Sequence, residues 1–223
     1  MGALSDRLRV TSSTFRQEWL DEIDRVARPF HPDGHYLYPA DDRGNHLQGF
    51  FLLDPVAEHP RFVSRIRDDV VAWAEQERIR GDLLFAPSDP YVRTLAGAIS
   101  TKLGLPLALW QDLPNGRFGD HLVEGKVEAG AKAIVFNGVT HTGRCVGLRL
   151  PEFVARLGGT TIAAAVFVKG IAPKVRETEK TLGAKFYSTL QVDVPVYAPS
   201  ECPLDARVGP PLPWTTLQRG GRA

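Results

Sequence analysis

A short polar segment in the middle of the chain carries residue types that suit phosphate binding. Thr140–Gly143 (Thr-His-Thr-Gly) follows an apolar run, Ala131–Phe136, and opens a helical pattern, Gly143–Leu157. Amides at a helix start, threonine hydroxyls and a glycine that permits close approach all favour an anion. The alternative is a helix that Thr142 caps, with Gly143 present for packing. The residues alone leave both interpretations open.

Most other catalytic signatures are absent from the sequence. It contains no Walker motif, no G-x-G-x-x-G, no G-x-S-x-G and no H-E-x-x-H. Two cysteines, Cys145 and Cys202, are too few for a four-cysteine zinc site, and we expect no metal ligands. Cys145, one turn into the predicted helix, is either a reactive thiolate or a buried packing residue. His141 is either a phosphate neighbour or a surface residue.

Composition excludes several classes of protein. Of 223 residues, 27 are Lys or Arg and 26 are Asp or Glu, which gives a net charge of +1. This balance argues against a broad nucleic-acid-binding surface. No run approaches the roughly 20 apolar residues of a membrane span, so we expect no membrane partner. The N-terminus lacks a secretory pattern, and the few cysteines suit a cytoplasmic location.

The N-terminal third of the chain is predicted to be mainly helical. Apolar residues recur at helical spacing in Ser12–Arg28 and in Pro60–Ile79. Phe30–Asn45 is rich in Pro, Gly, His and Asp and is expected to be a loop. His46–Leu53 is an apolar run and is expected to be one strand.

From Gly81 onwards strands and helices alternate. The expected strands are Asp82–Ala86, Leu105–Trp110, Ala131–Phe136, Thr160–Val168 and Phe186–Val196, and the expected helices are Tyr91–Leu103 and Gly143–Leu157. The strands are mostly continuous apolar runs, as in a parallel sheet covered on both faces. Lys174–Lys180 is a charged stretch, and the tail from Pro210 is expected to be poorly ordered.

Ligands of such a sheet bind beyond the carboxyl ends of its strands. The site is therefore expected among four connecting segments, which are Pro87–Tyr91, Gln111–Asp120, Asn137–Arg144 and Lys169–Val175.

Several segments together resemble a known family. The pattern V-T-x-T-G between a strand and a helix resembles the 5-phosphoribosyl-1-pyrophosphate loop of type I phosphoribosyltransferases, above all the orotate type. Three further segments share the likeness, namely Val123–Lys132, Leu95–Pro106 and Tyr197–Leu204, the last being similar to a Y-x-P-x-E-C-P-L-C ending. The resemblance covers roughly residues 81 to 204.

The resemblance implies an α/β fold, a parallel sheet flanked by helices, with a small hood built from the chain ends and an added N-terminal helical region. It divides the chain into residues 1–80 (N-terminal helices, one strand and hood elements), 81–204 (the core and a late strand) and 205–223 (a Pro/Gly/Arg-rich tail). It implies displacement of pyrophosphate from ribose C1 by a nitrogen nucleophile, assisted by Mg²⁺. It also implies a homodimer, with Gln111–Asp120 near the partner.

The resemblance assigns the 5′-phosphate to a contiguous set of residues, which are Thr140, His141, Thr142, Gly143 and Arg144. Members of the family usually carry two acidic residues just before this loop, where this chain has Asn137 and Gly138. Asn137 can still hydrogen-bond a ribose hydroxyl. Arg117 is the one cation of the loop Gln111–Asp120. Asn137 and Arg117 are therefore the catalytic candidates.

These departures leave three candidate functions. The first is a phosphoribosyltransferase-like enzyme that acts on phosphoribosyl pyrophosphate or a related ribose phosphate, with an unknown acceptor. The second is a non-catalytic protein that binds a nucleotide or phosphoribosyl ligand as a regulator or a subunit of a complex. The third is a structural interaction protein. Asp205 replaces the second cysteine of C-P-L-C, so a metal held by that pair would have been lost.

Overall fold

Strands and helices follow one another throughout the chain. The computed structural model describes residues 7–37, 44–114 and 116–219. In chain order the strands are β1 (Leu8–Val10), β2 (Phe30–His31), β3 (Tyr36–Leu37), β4 (His46–Leu47), β5 (Phe50–Phe51), β6 (Leu83–Pro87), β7 (Leu107–Asp112), β8 (Phe118–Glu124), β9 (Lys132–Thr140), β10 (Thr160–Gly170), β11 (Lys185–Val192), β12 (Val196–Tyr197) and β13 (Leu212–Pro213). The helices are α1 (Gln17–Ala27), α2 (Asp54–Ala57), α3 (Pro60–Gln76), α4 (Pro90–Leu103), α5 (Leu150–Arg156), α6 (Pro173–Leu182), α7 (Asp205–Val208) and α8 (Thr215–Arg219), with a π-helical turn at Cys145–Arg149 and a 3₁₀ turn at Pro199–Glu201.

The main sheet has seven strands in the order β1-β11-β10-β9-β6-β7-β8. Its five central strands are parallel, and the two edge strands, β1 and β8, run antiparallel to their neighbours. The expected parallel sheet flanked by helices is confirmed, and β9, which includes most of the expected strand Ala131–Phe136, lies in its interior. β8 was missed, because a half-exposed hairpin strand lacks a continuous apolar run.

Alternate residues of the central strands pack into two apolar layers. Phe85, Val135 and Val166 belong to the layer beneath α5. Leu84 and Phe136 belong to the opposite layer, which includes α3, α4 and much of the N-terminal region. Burial of both faces leaves the strand ends as the places where polar groups of the sheet reach solvent.

A small hood stands beyond the main sheet. It contains a four-stranded sheet in the order β12-β4-β3-β13 and the pair β2–β5. The single strand predicted at His46–Leu53 is wrong, because the chain turns at Gly49 between β4 and β5. Gly49 has φ +102°, and a Cβ there would lie 2.7 Å from the carbonyl oxygen of His31. Only glycine fits this turn without strain.

Other element boundaries also differ from the sequence expectations. The first helix begins at Gln17, because the Ser12 hydroxyl accepts hydrogen bonds from the amides of Thr14 (3.0 Å) and Phe15 (2.9 Å) in a separate turn. The late strand predicted at Phe186–Val196 divides into β11 and β12. The charged stretch from Lys174 lies in helix α6.

Two segments expected to be irregular contain regular structure. Phe30–Asn45 holds β2 and β3, although its residues 38–43 lie outside the described residues. The tail contains β13, which pairs parallel with β3, and helix α8. Poor order is therefore wrong for residues 210–219, and residues 220–223 are not described. Among the described helices, none combines the length and apolar character needed to cross a membrane.

A buried carboxylate ties the N-terminal segment to the main sheet. Asp69 of α3 is 2% exposed and accepts hydrogen bonds from the hydroxyls of Thr14 (2.5 Å), Tyr187 (2.8 Å) and Thr189 (2.7 Å), and from Ser12. Burial and the nearby Asp69 charge raise the pKa of Tyr187, so its hydroxyl stays a donor. Four donors thus compensate the desolvated charge.

Asp69→Ala should lower the free energy of unfolding by about 3 kcal/mol, because four buried hydroxyls lose their acceptor. Ser12→Ala, which removes one donor and keeps the carboxylate, should cost about 1 kcal/mol. Urea unfolding followed by circular dichroism measures both. Equal, sub-kilocalorie losses would contradict this role of Asp69.

Candidate functional site

The carboxyl ends of β6, β7 and β9 form the floor of a cleft that the hood covers. The cleft has a volume of about 140 Å³ and shares several lining residues with a wider groove of about 990 Å³. Leu52, Asp54, Asp89, Asp112 and Trp214 belong to both. The position agrees with the expectation that the site lies beyond the carboxyl edge of the sheet.

Aromatic rings from the hood form the roof of the cleft. Phe50 and Trp214 stack with ring centroids 5.4 Å apart and an interplanar angle of 12°. The His141 ring lies 5.0 Å from that of Phe50. Such a surface offers stacking to a planar ligand. Trp214 was not predictable as a site residue, because it lies in the tail that was expected to be irregular.

Two acidic side chains enter the cleft from neighbouring strand ends. Burial, and next the charge of Asp89, raise the pKa of Asp112 to about 7. Burial also raises the pKa of Asp89, although its carboxylate accepts hydrogen bonds from the amides of Tyr91 (3.0 Å) and Val92 (2.9 Å) at the start of α4. Both residues lie in segments where the site was expected, but the sequence did not single them out, since an aspartate beside a loop has no distinctive spacing.

The loop after β9 is folded tightly upon itself. The Thr140 hydroxyl accepts a hydrogen bond from the Gly143 amide at 3.0 Å. Thr140, His141 and Thr142 are all buried. Burial lowers the pKa of His141 to about 4, so its imidazole is neutral at physiological pH. The helix begins with the turn at Cys145–Arg149, slightly later than the predicted start at Thr142 or Gly143.

Helix α6 packs against this loop and gives Gly143 a packing role. Gly143 has φ +77°, and a Cβ there would lie 3.2 Å from Thr178 Cβ and 3.3 Å from Val175 Cα. The interpretation of Gly143 as a packing residue therefore has direct support, and phosphate binding at the loop stays a prediction.

The structure brings some of the predicted site residues together and leaves others apart. Asn137 and His141 both line the cleft. Thr140, Thr142, Gly143 and Arg144 lie in or next to the tight turn and are not among the lining residues identified in the described part of the chain. Arg117 is exposed between β7 and β8, where its neighbours Gly116 and Phe118 reach the cleft instead.

Asn137 and Gly138, which stand where the family usually has two acidic residues, differ in their surroundings. The Asn137 side-chain oxygen accepts a hydrogen bond from the Gly138 amide at 2.8 Å. A Cβ at Gly138 would lie 2.2 Å from Leu53 Cδ2. The leucine thus occupies the space that an acidic side chain at position 138 would need.

Cys145 also lines the cleft, and it is buried. Burial, together with the nearby Asp112 charge, raises the pKa of its thiol to about 12. The charges of Arg144 and Arg149 lower this pKa, but by less than burial and Asp112 raise it. Of the two interpretations of Cys145, the structure supports the packing residue and not the thiolate.

Comparisons with known proteins identify relatives of one kind. An orotate phosphoribosyltransferase of Thermococcus kodakarensis is 26% identical over 171 residues, covering 74% of this chain and 88% of that protein. The solved orotate phosphoribosyltransferase of Aeropyrum pernix superposes with a TM-score of 0.59 at 16% identity, covering 78% of this chain and 93% of the other. No protein-family model matches the chain.

A further solved structure carries a bound substrate. The orotate phosphoribosyltransferase of Mycobacterium tuberculosis in complex with 5-phospho-α-D-ribosyl 1-diphosphate has a TM-score of 0.57 at 16% identity, covering 81% of this chain and 91% of that one. The expected fold of type I phosphoribosyltransferases and the resemblance to the orotate type are thus confirmed.

Asp112 should make stability depend on pH. Its pKa in the folded protein is raised from an ordinary 3.8 to about 7, so the folded state holds a proton that the unfolded chain releases. Stability should therefore fall as pH rises between these two values and level off above them. Asp112→Asn should flatten this dependence and stabilise the protein at pH above 7.

Thermal unfolding across this pH range provides the measurement. Asp120→Asn is the matched control, because Asp120 is exposed and its pKa is lowered, chiefly by a hydrogen bond with His121. The control should keep the wild-type slope between pH 3.8 and about 7, because the lowered pKa of Asp120 affects stability only below its ordinary value of 3.8. A wild-type slope in Asp112→Asn would refute the assignment.

Proposed function

We propose that the protein is a phosphoribosyltransferase-like enzyme that acts on phosphoribosyl pyrophosphate or a related ribose 5-phosphate compound in the cleft. The observation that carries the proposal is the position of the cleft. It lies at the carboxyl ends of parallel strands in a fold shared with phosphoribosyltransferases, directly beside the loop that resembles theirs.

In this proposal the 5′-phosphate binds at Thr140–Arg144. Backbone amides of the loop and the positive charge of Arg144 supply the attraction. One loop amide, that of Gly143, is already bonded to Thr140, so Arg144 has a larger share of the binding than in an open loop. The neutral His141 adds a polar contact without charge.

The ribose and pyrophosphate lie on the side of β6 and β7. Asn137 binds a ribose hydroxyl, and Arg117 approaches the pyrophosphate. The Mg²⁺ implied by the resemblance fits the donor set here, because magnesium prefers carboxylate oxygens and Asp89 and Asp112 enter the same cleft. When bound by Asp112, the ion would neutralise charge on the pyrophosphate. Asp112 would thus supply part of the negative charge that is missing at Asn137 and Gly138.

The acceptor is proposed to be a planar nitrogen heterocycle. The Phe50–Trp214 stack offers it an aromatic surface, and the apolar roof keeps water away from the reacting carbon. Nothing in the lining residues selects between an orotate-like and a purine-like ring.

A second candidate function is ligand binding without catalysis. The position of Leu53 favours this second candidate, because its side chain fills the space that one of the two missing acidic side chains would need beside Gly138. Loss of charge opposite a developing oxocarbenium ion would slow transfer while leaving the 5′-phosphate contacts in place.

Homodimer formation and a cytoplasmic location stay predictions. Trp110, which directly precedes the loop Gln111–Asp120, is not available for a homodimer interface, since it is 1% exposed and stacks on Phe153 with centroids 4.2 Å apart. Phe118 is half-buried against the same Phe153 ring. In the edge strand β8, Val123 is exposed.

Titration calorimetry with ribose 5-phosphate, nucleoside monophosphates, and phosphoribosyl pyrophosphate with and without Mg²⁺ tests the proposal. Arg144→Met should weaken ribose 5-phosphate binding about tenfold, because a charge-assisted hydrogen bond is lost. Arg149→Met, on the next turn and exposed, should bind as wild type. Asp112→Asn should lose the Mg²⁺-dependent part of pyrophosphate binding.

Release of pyrophosphate in the presence of orotate, adenine and other nitrogen heterocycles separates the two candidates. Turnover with any acceptor supports the enzyme, whereas binding without turnover supports the non-catalytic protein. If none of these ligands binds, both candidates are refuted and the loop has a structural role only.

Gly138→Asp alone should destabilise the protein, because its Cβ would lie 2.2 Å from Leu53 Cδ2. In a Leu53→Ala background the same substitution should cost much less, since the space is open. The two single variants and the double variant form a thermodynamic cycle measured by urea unfolding. Additive losses would show that Leu53 does not occupy the site of the missing acid.

A further inference from the structure

Four metal-ligating side chains meet in the hood, apart from the residues that line the cleft. His35, His46, Cys202 and Asp205 each offer one ligand atom, and these atoms all lie within 4.8 Å of one another. The first three residues are buried, and Asp205 is half-exposed. The sequence suggested that Asp205 in place of a second cysteine would lose a metal held beside Cys202. The two histidines were not predictable as partners, because they lie far from Cys202 along the chain.

Three of the four measured separations match a tetrahedral site, and the distance between the two histidines is shorter. His35 Nε2 lies 2.9 Å from His46 Nδ1 and 3.3 Å from Cys202 Sγ. Asp205 Oδ1 lies 3.7 Å from His35 Nε2 and 3.5 Å from His46 Nδ1. Around zinc, with bonds of about 2.0–2.3 Å, ligand atoms stand about 3.3–3.8 Å apart.

We propose that His35, His46, Cys202 and Asp205 bind a structural zinc ion that holds the hood together. The set of two imidazoles, one thiolate and one carboxylate is a donor combination that zinc accepts in four-coordinate sites.

The outer contacts of His35 fix its orientation for this role. His35 Nδ1 lies 2.7 Å from the carbonyl oxygen of Gly209 and donates its proton there. The Nε2 lone pair then faces the other three ligands. A backbone carbonyl that holds the second ring nitrogen is the usual support of a metal-bound histidine.

Hydrogen bonding alone explains the cluster poorly. In that tautomer His35 Nε2 has a single lone pair, yet both His46 Nδ1 and Cys202 Sγ lie within contact distance of it. Only one of the two can donate to it well. A cation at the centre satisfies all four groups at once.

The ion would link three separate segments of the hood. His35 immediately precedes β3, and His46 begins β4. Cys202 lies three residues before α7, and Asp205 is the first residue of that helix. The hood strands β3, β4, β12 and β13 have two residues each, too few for a stable sheet by themselves. A metal is a common way to stabilise so small a unit.

The test uses full-length protein stripped of metal and titrated with Zn²⁺ alone, followed by calorimetry and elemental analysis. One zinc ion per chain is expected, and Cys202→Ser and His46→Ala should weaken its affinity by more than about 100-fold, since even outer contacts contribute 10- to 100-fold. Cys145→Ala and His121→Ala, which remove a cysteine and a histidine elsewhere, should bind zinc as wild type.

Co²⁺ replacement keeps the proposal testable where a variant folds poorly. Wild-type protein with Co²⁺ should show the absorption bands of a tetrahedral ion and a thiolate charge-transfer band, and Cys202→Ser should lose the latter. Chelation should lower the melting temperature of the wild type. Stoichiometric zinc that the Cys202 and His46 variants retain, or no zinc and no such bands, would overturn the proposal. Neither result bears on ribose phosphate binding.

Discussion

The two-sided burial of the central strands is the constraint on which the rest of the structure depends. Strands β6, β9 and β10 are covered on both faces by apolar layers, so their polar groups can meet a ligand only at the strand ends. The hood then covers the carboxyl edge at β6, β7 and β9. Its roof makes the cleft apolar enough to raise the pKa of Asp112 to about 7 and to lower that of His141 to about 4.

The raised pKa of Asp112 affects how the cleft can bind a charged ligand. A partly protonated Asp112 reduces the charge conflict that an anionic ligand would otherwise meet in an acidic cleft. A bound divalent cation would restore the ionised form of Asp112. Burial destabilises the carboxylate of Asp112 in the protein without ligand, and the same position lets this carboxylate take part in ligand binding. Such a cost in stability is usual at functional sites.

The elements that carry continuous apolar patterns were predictable from the sequence. The apolar runs gave β6, β9 and β10, and the rule for parallel sheets placed Asn137 and His141 at the ligand edge. The hood was not predictable in the same way, because two-residue strands such as β4 and β13 carry no periodicity. Nor was the cluster of His35 and Cys202, since 167 positions separate these residues and only tertiary folding brings them together.

A crystal structure of the protein with ribose 5-phosphate tests the central claim, that the cleft is a ribose phosphate site, most directly. We predict density for the phosphate against the loop at Thr142–Arg144 and for the ribose hydroxyls between Asn137 and Asp112. A ligand bound outside the cleft, or crystals whose cleft stays free of ligand at saturating concentration, would contradict the claim.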